Sequence, residues 1–365
     1  MPADFHRTLC AIESGIRERL HLGAQIFVSR DGEVLLDEAF GEAREGVPMQ
    51  RESLMLWLSA GKPITAFAIG QLVERSLLRW ETRVAEVMPE FAAHGKDAVT
   101  IRHLLTHTAG LRHADDIDST LSSDEQIARI CELPLEPNWI SGQRAGYHVW
   151  ATWELLGEIV KRVSGKPVDE FVRENIFLPL GLHDSWLALS SESAKEYGDR
   201  IAFVYDTVSG APQSKLEWNS LDGLMRCRPG GSARGPIREL ARFYEILLQG
   251  GENILRQDTV RVMTSRQRTG LLDKTFQFKM DWGLGFIINS NRDGFQMPYG
   301  YGRYASPGTF GHSGNQSSCA FADPRHRLVV AWSCNGLPGE RKHQHRQRAI
   351  NNAIYEDLGI TNVNG

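Results

Sequence analysis

The residues best suited to chemistry are a serine and a lysine three positions apart, Ser59 and Lys62, in the stretch WLSAGKPITAFAIGQLV. On a helix, residues i and i+3 share a face, so the hydroxyl and the amine would be neighbours. A serine hydroxyl becomes a good nucleophile only when a base takes its proton, and a lysine is such a base only when its pKa is lowered. The apolar flanks of the pair favour burial, which lowers the pKa of an amine. S-x-x-K alone also fits a capping serine followed by a solvated lysine, so both interpretations stay open.

Two further segments carry side chains that would complete a serine-based site. Tyr147 lies in GQRAGYHVW, a glycine-bounded loop directly before a predicted helix. A tyrosine near a serine and a lysine can relay a proton to a leaving group. His312, Ser313 and Gly314 lie in TFGHSGNQSS at the predicted end of a strand. A strand edge beside a helix N-terminus can supply two backbone N–H donors to a tetrahedral oxyanion.

The helices and strands that must position these residues are distributed unequally along the chain, with strands near both ends and helices in the middle. An N-terminal helix and a hairpin around Arg30-Asp31-Gly32 precede the Ser59 helix. A mostly helical middle follows, including a short helix in VTIRHLLTHTAGL that we expect a glycine to end. The last third returns to strands and closes with a helix over 342–358. Strands at both chain ends around a helical insert predict one sheet built from both ends of the chain, and the absence of alternating β and α units disfavours a doubly wound fold.

Composition narrows the function classes. The chain has 365 residues, 41% hydrophobic and 24% charged, and a net charge of 41 − 45 = −4. This balance does not suggest nucleic-acid binding. The one basic run, GERKHQHRQR, is interpreted as the solvated face of the last helix, with His343 and His345 in water. Five scattered cysteines without CxxC, no secretory signal and no bilayer-spanning apolar run predict reduced thiols, a cytoplasmic location and no membrane partner.

Taken together, these stretches resemble the serine hydrolases of the β-lactamase and penicillin-binding-protein type, especially class C β-lactamases and their esterase relatives. The resemblance runs from about Ala11 to Tyr355 and includes LLGEIVKRVSGKPVDEFVRENIFLPLGL and FGHSGNQSSCAFADPRHRLVVAW. It implies an α+β fold in which an antiparallel sheet is flanked by helices from both chain ends, with a mostly helical inserted subdomain. We expect a single catalytic domain over 1–365, with a body at about 1–75 and 235–365 and the subdomain at about 76–234.

The resemblance also assigns roles. It implies that Ser59 is the nucleophile, Lys62 its general base and Tyr147 the residue that manages the proton on the leaving group. The backbone N–H groups of Ser59 and Asn315 would form the oxyanion hole. The proposed mechanism calls for no metal or cofactor. The residues expected at the substrate are His312, Ser313 and Gly314, which stand where lactamases have Lys-Thr-Gly, together with His148 and Trp150 beside the tyrosine.

Two departures from the family pattern bear on the substrate. Val149 stands where the family usually has asparagine, and its side chain cannot hydrogen-bond to a substrate amide or to Lys62. His312 replaces a lysine and can be neutral near pH 7, which weakens a fixed positive charge near a substrate carboxylate. Both changes favour an esterase over a β-lactamase or a D-aminoacyl peptidase.

Three functions of different kinds remain open at this point. The first is a serine esterase, and the second is a transacylase that passes the acyl group to an amine or alcohol in natural-product assembly. The third is a binding protein without catalysis, which has no need for all three of Ser59, Lys62 and Tyr147. The expected partner is a small-molecule ester or amide, with an amine acceptor in the second case; the oligomeric state is not predicted. His103 and His107 have zinc-pair spacing, but no HExxH glutamate accompanies them, so packing is favoured.

Overall fold

The computed structural model describes residues 4–362, and an eight-stranded antiparallel sheet is its centre. The sheet order is β10-β11-β12-β13-β14-β1-β2-β3. In chain order the strands are β1 (Gly23–Arg30), β2 (Glu33–Arg44), β3 (Val47–Pro48), β4 (Met55–Leu56), β5 (Tyr205–Asp206), β6 (Gln213–Ser214), β7 (Arg234–Gly235), β8 (Leu272–Asp273), β9 (Phe278–Lys279), β10 (Asp281–Trp282), β11 (Ile287–Ile288), β12 (Phe310–Gly314), β13 (Ser318–Asp323), β14 (Leu328–Cys334) and β15 (Gly336–Leu337).

The centre of the sheet joins the two ends of the chain. β1 pairs with β14, with Ala24 opposite Cys334, and β1 turns into β2 through Asp31 and Gly32. Both turn residues have positive φ, 56° and 79°, as the tight turn of a twisted hairpin requires. The predicted hairpin and the sheet built from both chain ends are therefore confirmed.

Helices cover both faces of the sheet. They are α1 (His6–Arg17), α2 (Lys62–Glu74), α3 (Val84–Val87), α4 (Ile101–Leu105), α5 (Ser123–Glu132), α6 (Ala151–Ser164), α7 (Val168–Val172), α8 (Ser191–Tyr197), α9 (Leu216–Asn219), α10 (Leu221–Met225), α11 (Ile237–Leu248), α12 (Gln257–Thr264) and α13 (Glu340–Asp357). One apolar core joins α1 and α13 to one face of the sheet, and α11 packs against β1, β13 and β14 in a second core.

The helical middle of the chain packs around α2. This helix is buried along nearly its whole length, and it contacts α6, α7 and β12. A helix that is apolar on all sides belongs in a core, which explains why its sequence lacks a polar stripe. The α+β architecture, an antiparallel sheet flanked by helices, is thus confirmed; the two subdomain boundaries stay a prediction.

Two local predictions are wrong. His343 is fully buried rather than solvated, because α13 lies against the sheet and its neighbour Arg346 donates to Gln316 O and to His21 Nδ1. Burial lowers the pKa of His343 well below its ordinary value. The helix in VTIRHLLTHTAGL ends at Leu105, and the first left-handed residue after it is His107 (φ 55°) rather than a glycine. In this left-handed conformation the His107 ring packs against the ring of Tyr147.

Two expectations from composition can be compared with the described chain. All five cysteines are free thiols. No helix between residues 4 and 362 is long and apolar enough to cross a bilayer.

Candidate active site

Ser59 lies in a tight turn that the surrounding chain holds in place. Residues 58–61 form a 3-10 turn that leads directly into α2. Leu58 is buried with φ +50°, a conformation that side-chain-bearing residues rarely adopt and that persists only when the surroundings fix it. Trp57 supplies that support, because its indole donates to Gly235 O (2.9 Å) and its backbone N–H to Ala233 O (2.8 Å). The serine is therefore presented at a strained turn.

Lys62 is completely buried beside it, with Nζ 3.0 Å from Ser59 Oγ. The same nitrogen donates to Val149 O (2.7 Å) and to Gly230 O (2.6 Å). A neutral amine has two N–H groups and one lone pair, so two carbonyl acceptors leave the lone pair for the serine hydroxyl. Burial lowers the pKa of Lys62 to about 7, although the Asp115 and Glu154 carboxylates oppose that shift. The arrangement is that of a base poised near neutral pH.

Tyr147 closes the site on the other side of Ser59. Its backbone N–H donates to Asp273 Oδ1 (3.0 Å), and its ring centroid lies 4.6 Å from that of His107. Tyr147 and Ser59 line the same cavity, and Lys62 Nζ lies 5.5 Å from the Tyr147 ring centroid. Burial raises the pKa of Tyr147 above its ordinary value, so the phenol stays protonated through the physiological range. The Tyr147 phenol can therefore donate a proton, but it is not available as a deprotonated general base.

Asp115 holds the loop between Tyr147 and α6. Its carboxylate accepts the backbone N–H groups of Val149 (2.6 Å), Trp150 (2.9 Å) and Ala151 (2.8 Å). Three such bonds at a helix N-terminus fix the turn and satisfy donors that the helix itself leaves unpaired. The turn directs the Val149 carbonyl at Lys62, so the main chain of Val149 makes the contact that its side chain cannot. Nothing in the sequence indicated this aspartate.

The edge of β12 lies against the Ser59 turn because Gly314 has no side chain. A Cβ there would lie 2.4 Å from Trp57 O and 2.2 Å from Ser318 Oγ. Ser318 Oγ in turn donates to Trp57 O at 2.6 Å. The strand end is thereby held next to Ser59, and Asn315, which directly follows Gly314, lines the same cavity.

His312 is neutral and its tautomer can be assigned. Its Nδ1 lies 2.8 Å from Ser313 O, and a carbonyl only accepts, so Nδ1 carries the hydrogen. Burial, reinforced by the neighbouring Lys62 charge, lowers the pKa of His312 to about 3. Its Nε2 is buried without a partner in the described chain and presents a lone pair. At this position the protein offers a hydrogen-bond acceptor, not the cation of a lysine.

These residues surround a cavity of about 210 Å³, called the Ser59 cavity below. It brings together five residues expected at the site: Ser59, Tyr147, His312, Ser313 and Asn315. Sequence reasoning missed other residues that line it, which come from the turn after β8, from β11 and from the segment before β12: Thr275, Phe276, Ile287 and Tyr299.

Two residues expected at the substrate are placed elsewhere. His148 is fully buried, and its Nε2 accepts the backbone N–H of Leu111 at 2.9 Å. The Trp150 indole donates to Asp115 O at 2.9 Å. Neither lines the Ser59 cavity, because the chain turns away from it after Val149. Both side chains support the loop instead of reaching into the cavity.

The spacing of His103 and His107 does not correspond to a metal site. His107 packs between aromatic rings, with its centroid 4.4 Å from Trp282, and its Nδ1 accepts the backbone N–H of His148. No group of three or more histidine, cysteine or carboxylate side chains within residues 4–362 is arranged to hold a metal ion.

Comparison with known proteins identifies the family of the chain. The family model described as Beta-lactamase matches residues 12–354, and the chain belongs to that family. A solved penicillin-binding-protein homologue from Caulobacter crescentus superimposes with a TM-score of 0.80 at 28% identity, covering 97% of both chains. The resemblance seen in the sequence is thereby confirmed, and with it the class of enzyme, a serine hydrolase or acyltransferase.

Two curated relatives have esterase names. Esterase EstB of Burkholderia gladioli is 34% identical over 194 residues, which is 47% of this chain and 48% of EstB. The alignment thus spans about half the length of that relative. Esterase/beta-lactamase LipL of Mycobacterium tuberculosis is 26% identical over 342 residues, or 84% of this chain and 77% of LipL.

Proposed function

We propose that this protein is a serine esterase that hydrolyses a carboxylic ester through a covalent acyl-enzyme on Ser59. The observation that carries the proposal is the position of Lys62: its amine is buried, lies 3.0 Å from Ser59 Oγ and has both N–H groups of its neutral form directed at carbonyls. The esterase names of EstB and LipL support the choice of substrate class.

The acylation step follows from these contacts. Lys62 Nζ takes the Ser59 proton as Oγ attacks the ester carbonyl, and a tetrahedral oxyanion forms. The backbone N–H groups of Ser59 and Asn315 stabilise that oxyanion at the junction of the Ser59 turn and β12. On collapse, the alkoxide leaves with the Tyr147 hydroxyl proton, which Lys62 replaces. Water then repeats the sequence on the acyl-enzyme and releases the carboxylic acid.

The cavity favours uncharged acyl groups. The lining offers apolar surface from Phe276 and Ile287, and His312 contributes a lone pair instead of a positive charge. A substrate carboxylate beside that lone pair would be desolvated without a partner, which is costly. Val149, half exposed at the cavity, offers no amide to an acylamino side chain. We therefore expect neutral short-chain esters to be better substrates than penicillins.

Intact-protein mass spectrometry with p-nitrophenyl butyrate tests the proposal. The native protein should gain one butyryl mass on the peptide that contains Ser59, and Ser59→Ala should gain none. Nitrocefin, run in parallel, should give slower acylation than the ester. Adding primary amines then separates the two fates of the acyl group: clearance by water at an unchanged rate fits an esterase, and faster clearance with an acylated amine as product would make the protein a transacylase. An adduct that persists in Ser59→Ala would overturn the assignment of the nucleophile.

A further inference from the structure

A second cavity, of about 500 Å³, adjoins α6 and the segment that precedes Gly230. We call it the Glu154 cavity. No residue lines both it and the Ser59 cavity, yet the two share a wall. Pro229 lines the Glu154 cavity, and the carbonyl of the next residue, Gly230, accepts from Lys62. A volume of this size falls within the range of small-molecule sites.

Glu154 stands out among the buried carboxylates of the described chain. Four acidic side chains are buried, and three of them are well partnered: Asp273 by Arg268, Asp281 by Arg266 and Asp323 by Tyr355. Glu154, at 4% exposure, accepts no hydrogen bond from any residue within 4–362, and no lysine, arginine or histidine nitrogen there comes within 4.0 Å of it. Neither Glu154 oxygen is fully enclosed, so the carboxylate is open to the cavity that it lines and can accept hydrogen bonds from a molecule bound there.

The cations that line this cavity have hydrogen-bond or ion-pair partners other than Glu154. Arg226 and Arg228 each donate to Ser119 O at 2.6 Å, and Lys161 pairs with Asp124 and Glu158. The arginine charges favour the ionised form of Glu154, but burial outweighs them and raises the pKa of Glu154 to about 7. The cavity thus presents an acceptor whose charge no side chain in the described chain pairs.

We propose that the Glu154 cavity is a second ligand site that binds a small protonated amine through hydrogen bonds from its ammonium group to the Glu154 carboxylate. An ammonium supplies both the donors and the charge that this carboxylate lacks. The apolar side chains of Leu121 and Met225 also line the cavity and would cover the hydrocarbon part of the amine. A metal ion fits less well, because no set of three potential ligands converges in this part of the described chain.

Isothermal titration of the whole protein with n-butylammonium chloride, at constant ionic strength, tests the proposal. Binding should saturate, and Glu154→Gln should weaken it about tenfold or more, the effect expected for a charge-assisted hydrogen bond. Glu170→Gln is the matched control: it removes one negative charge from neighbouring α7 at an exposed residue outside the cavity, and it should bind as the native protein does. Tetramethylammonium, which has the charge but no N–H donor, should bind far more weakly.

A crystal of the butylammonium complex locates the ligand independently of any variant. The nitrogen should lie within hydrogen-bonding distance of a Glu154 oxygen. Equal affinity in native protein and Glu154→Gln, equal binding of tetramethylammonium, or an amine bound only in the Ser59 cavity would each overturn the proposal. None of these measurements uses esterase activity, so the outcome does not depend on the proposed reaction.

Discussion

Lys62 and Glu154 lie on opposite sides of the Pro229-Gly230 segment, which is the wall between the two cavities. Burial shifts the pKa of both side chains, but their hydrogen-bond partners differ. Burial brings the pKa of the lysine down to about 7 and that of the glutamate up to about 7. The lysine nitrogen has three partners in hydrogen-bonding distance, whereas the glutamate oxygens have none in the described chain. A perturbed pKa marks a functional group only together with its contacts, and the contacts make Lys62 a positioned base and Glu154 an open acceptor.

Removing the Lys62 amine is expected to have the largest effect and tests its role as the base directly. Lys62→Met fills much of the same volume without a nitrogen and should lower the rate of Ser59 acylation by about 10³-fold, within the range for loss of a general base. Stopped-flow acylation by p-nitrophenyl butyrate measures the rate, and circular dichroism checks the fold. A Lys62→Met protein that acylates at the native rate would show that another group takes the Ser59 proton.

Tyr147 provides the next largest expected effect. Its phenol stays protonated, so the proposed role is to deliver a proton to the leaving group, and Tyr147→Phe should lower kcat by about 10²-fold with little change in KM. The loss should shrink for esters whose leaving group is a good one, such as p-nitrophenolate, because that group needs no proton. An equal loss for p-nitrophenyl and ethyl esters would contradict the assigned role.

Variants of Asp115 test how far the activity of Lys62 depends on its hydrogen bond to the Val149 carbonyl. Asp115→Ala removes the acceptor of three backbone N–H groups and should destabilise the fold by about 2 kcal/mol, as for a lost helix cap. It should also release the Val149 carbonyl from Lys62 and lower kcat more than KM changes. Asp115→Asn keeps one carbonyl oxygen and should recover part of both losses. Thermal unfolding and steady-state kinetics of the two variants provide the comparison; identical kinetics in both would limit Asp115 to a structural role.

The sequence predicted the candidate reacting groups but not the groups that position them. Ser59 and Lys62 are three residues apart, so helix geometry alone brings them together. Tyr147 and His312 were predicted from short sequence motifs, GQRAGYHVW before a helix and TFGHSGNQSS at the end of a strand. The carbonyls of Val149 and Gly230 could not be predicted, because any residue type supplies a carbonyl and only the tertiary fold directs it. Asp115 was missed for a related reason, since one acidic side chain in HADD looks like an ordinary surface residue. His148 and Trp150 were misplaced because adjacency to Tyr147 in sequence does not fix which way a loop turns.

The smallest expected effect is a shift in the pKa of Lys62 when Glu154, on the other side of the wall, is changed. Lys62 is the active base only when neutral, so the acylation rate should rise with pH through about 7 and then level off. Glu154 and Asp115 are the carboxylates that favour the charged form of Lys62. Glu154→Gln removes one of them, so the pKa of Lys62 should fall and the acidic limb of the pH profile should move to lower pH, by on the order of half a unit, because Glu154 itself is partly protonated in this range. Glu170→Gln should leave the limb where it is. A limb that stays in place in Glu154→Gln would mean that the two buried groups titrate independently. A limb that moves upward would contradict the expected sign of the effect of Glu154 on the pKa of Lys62.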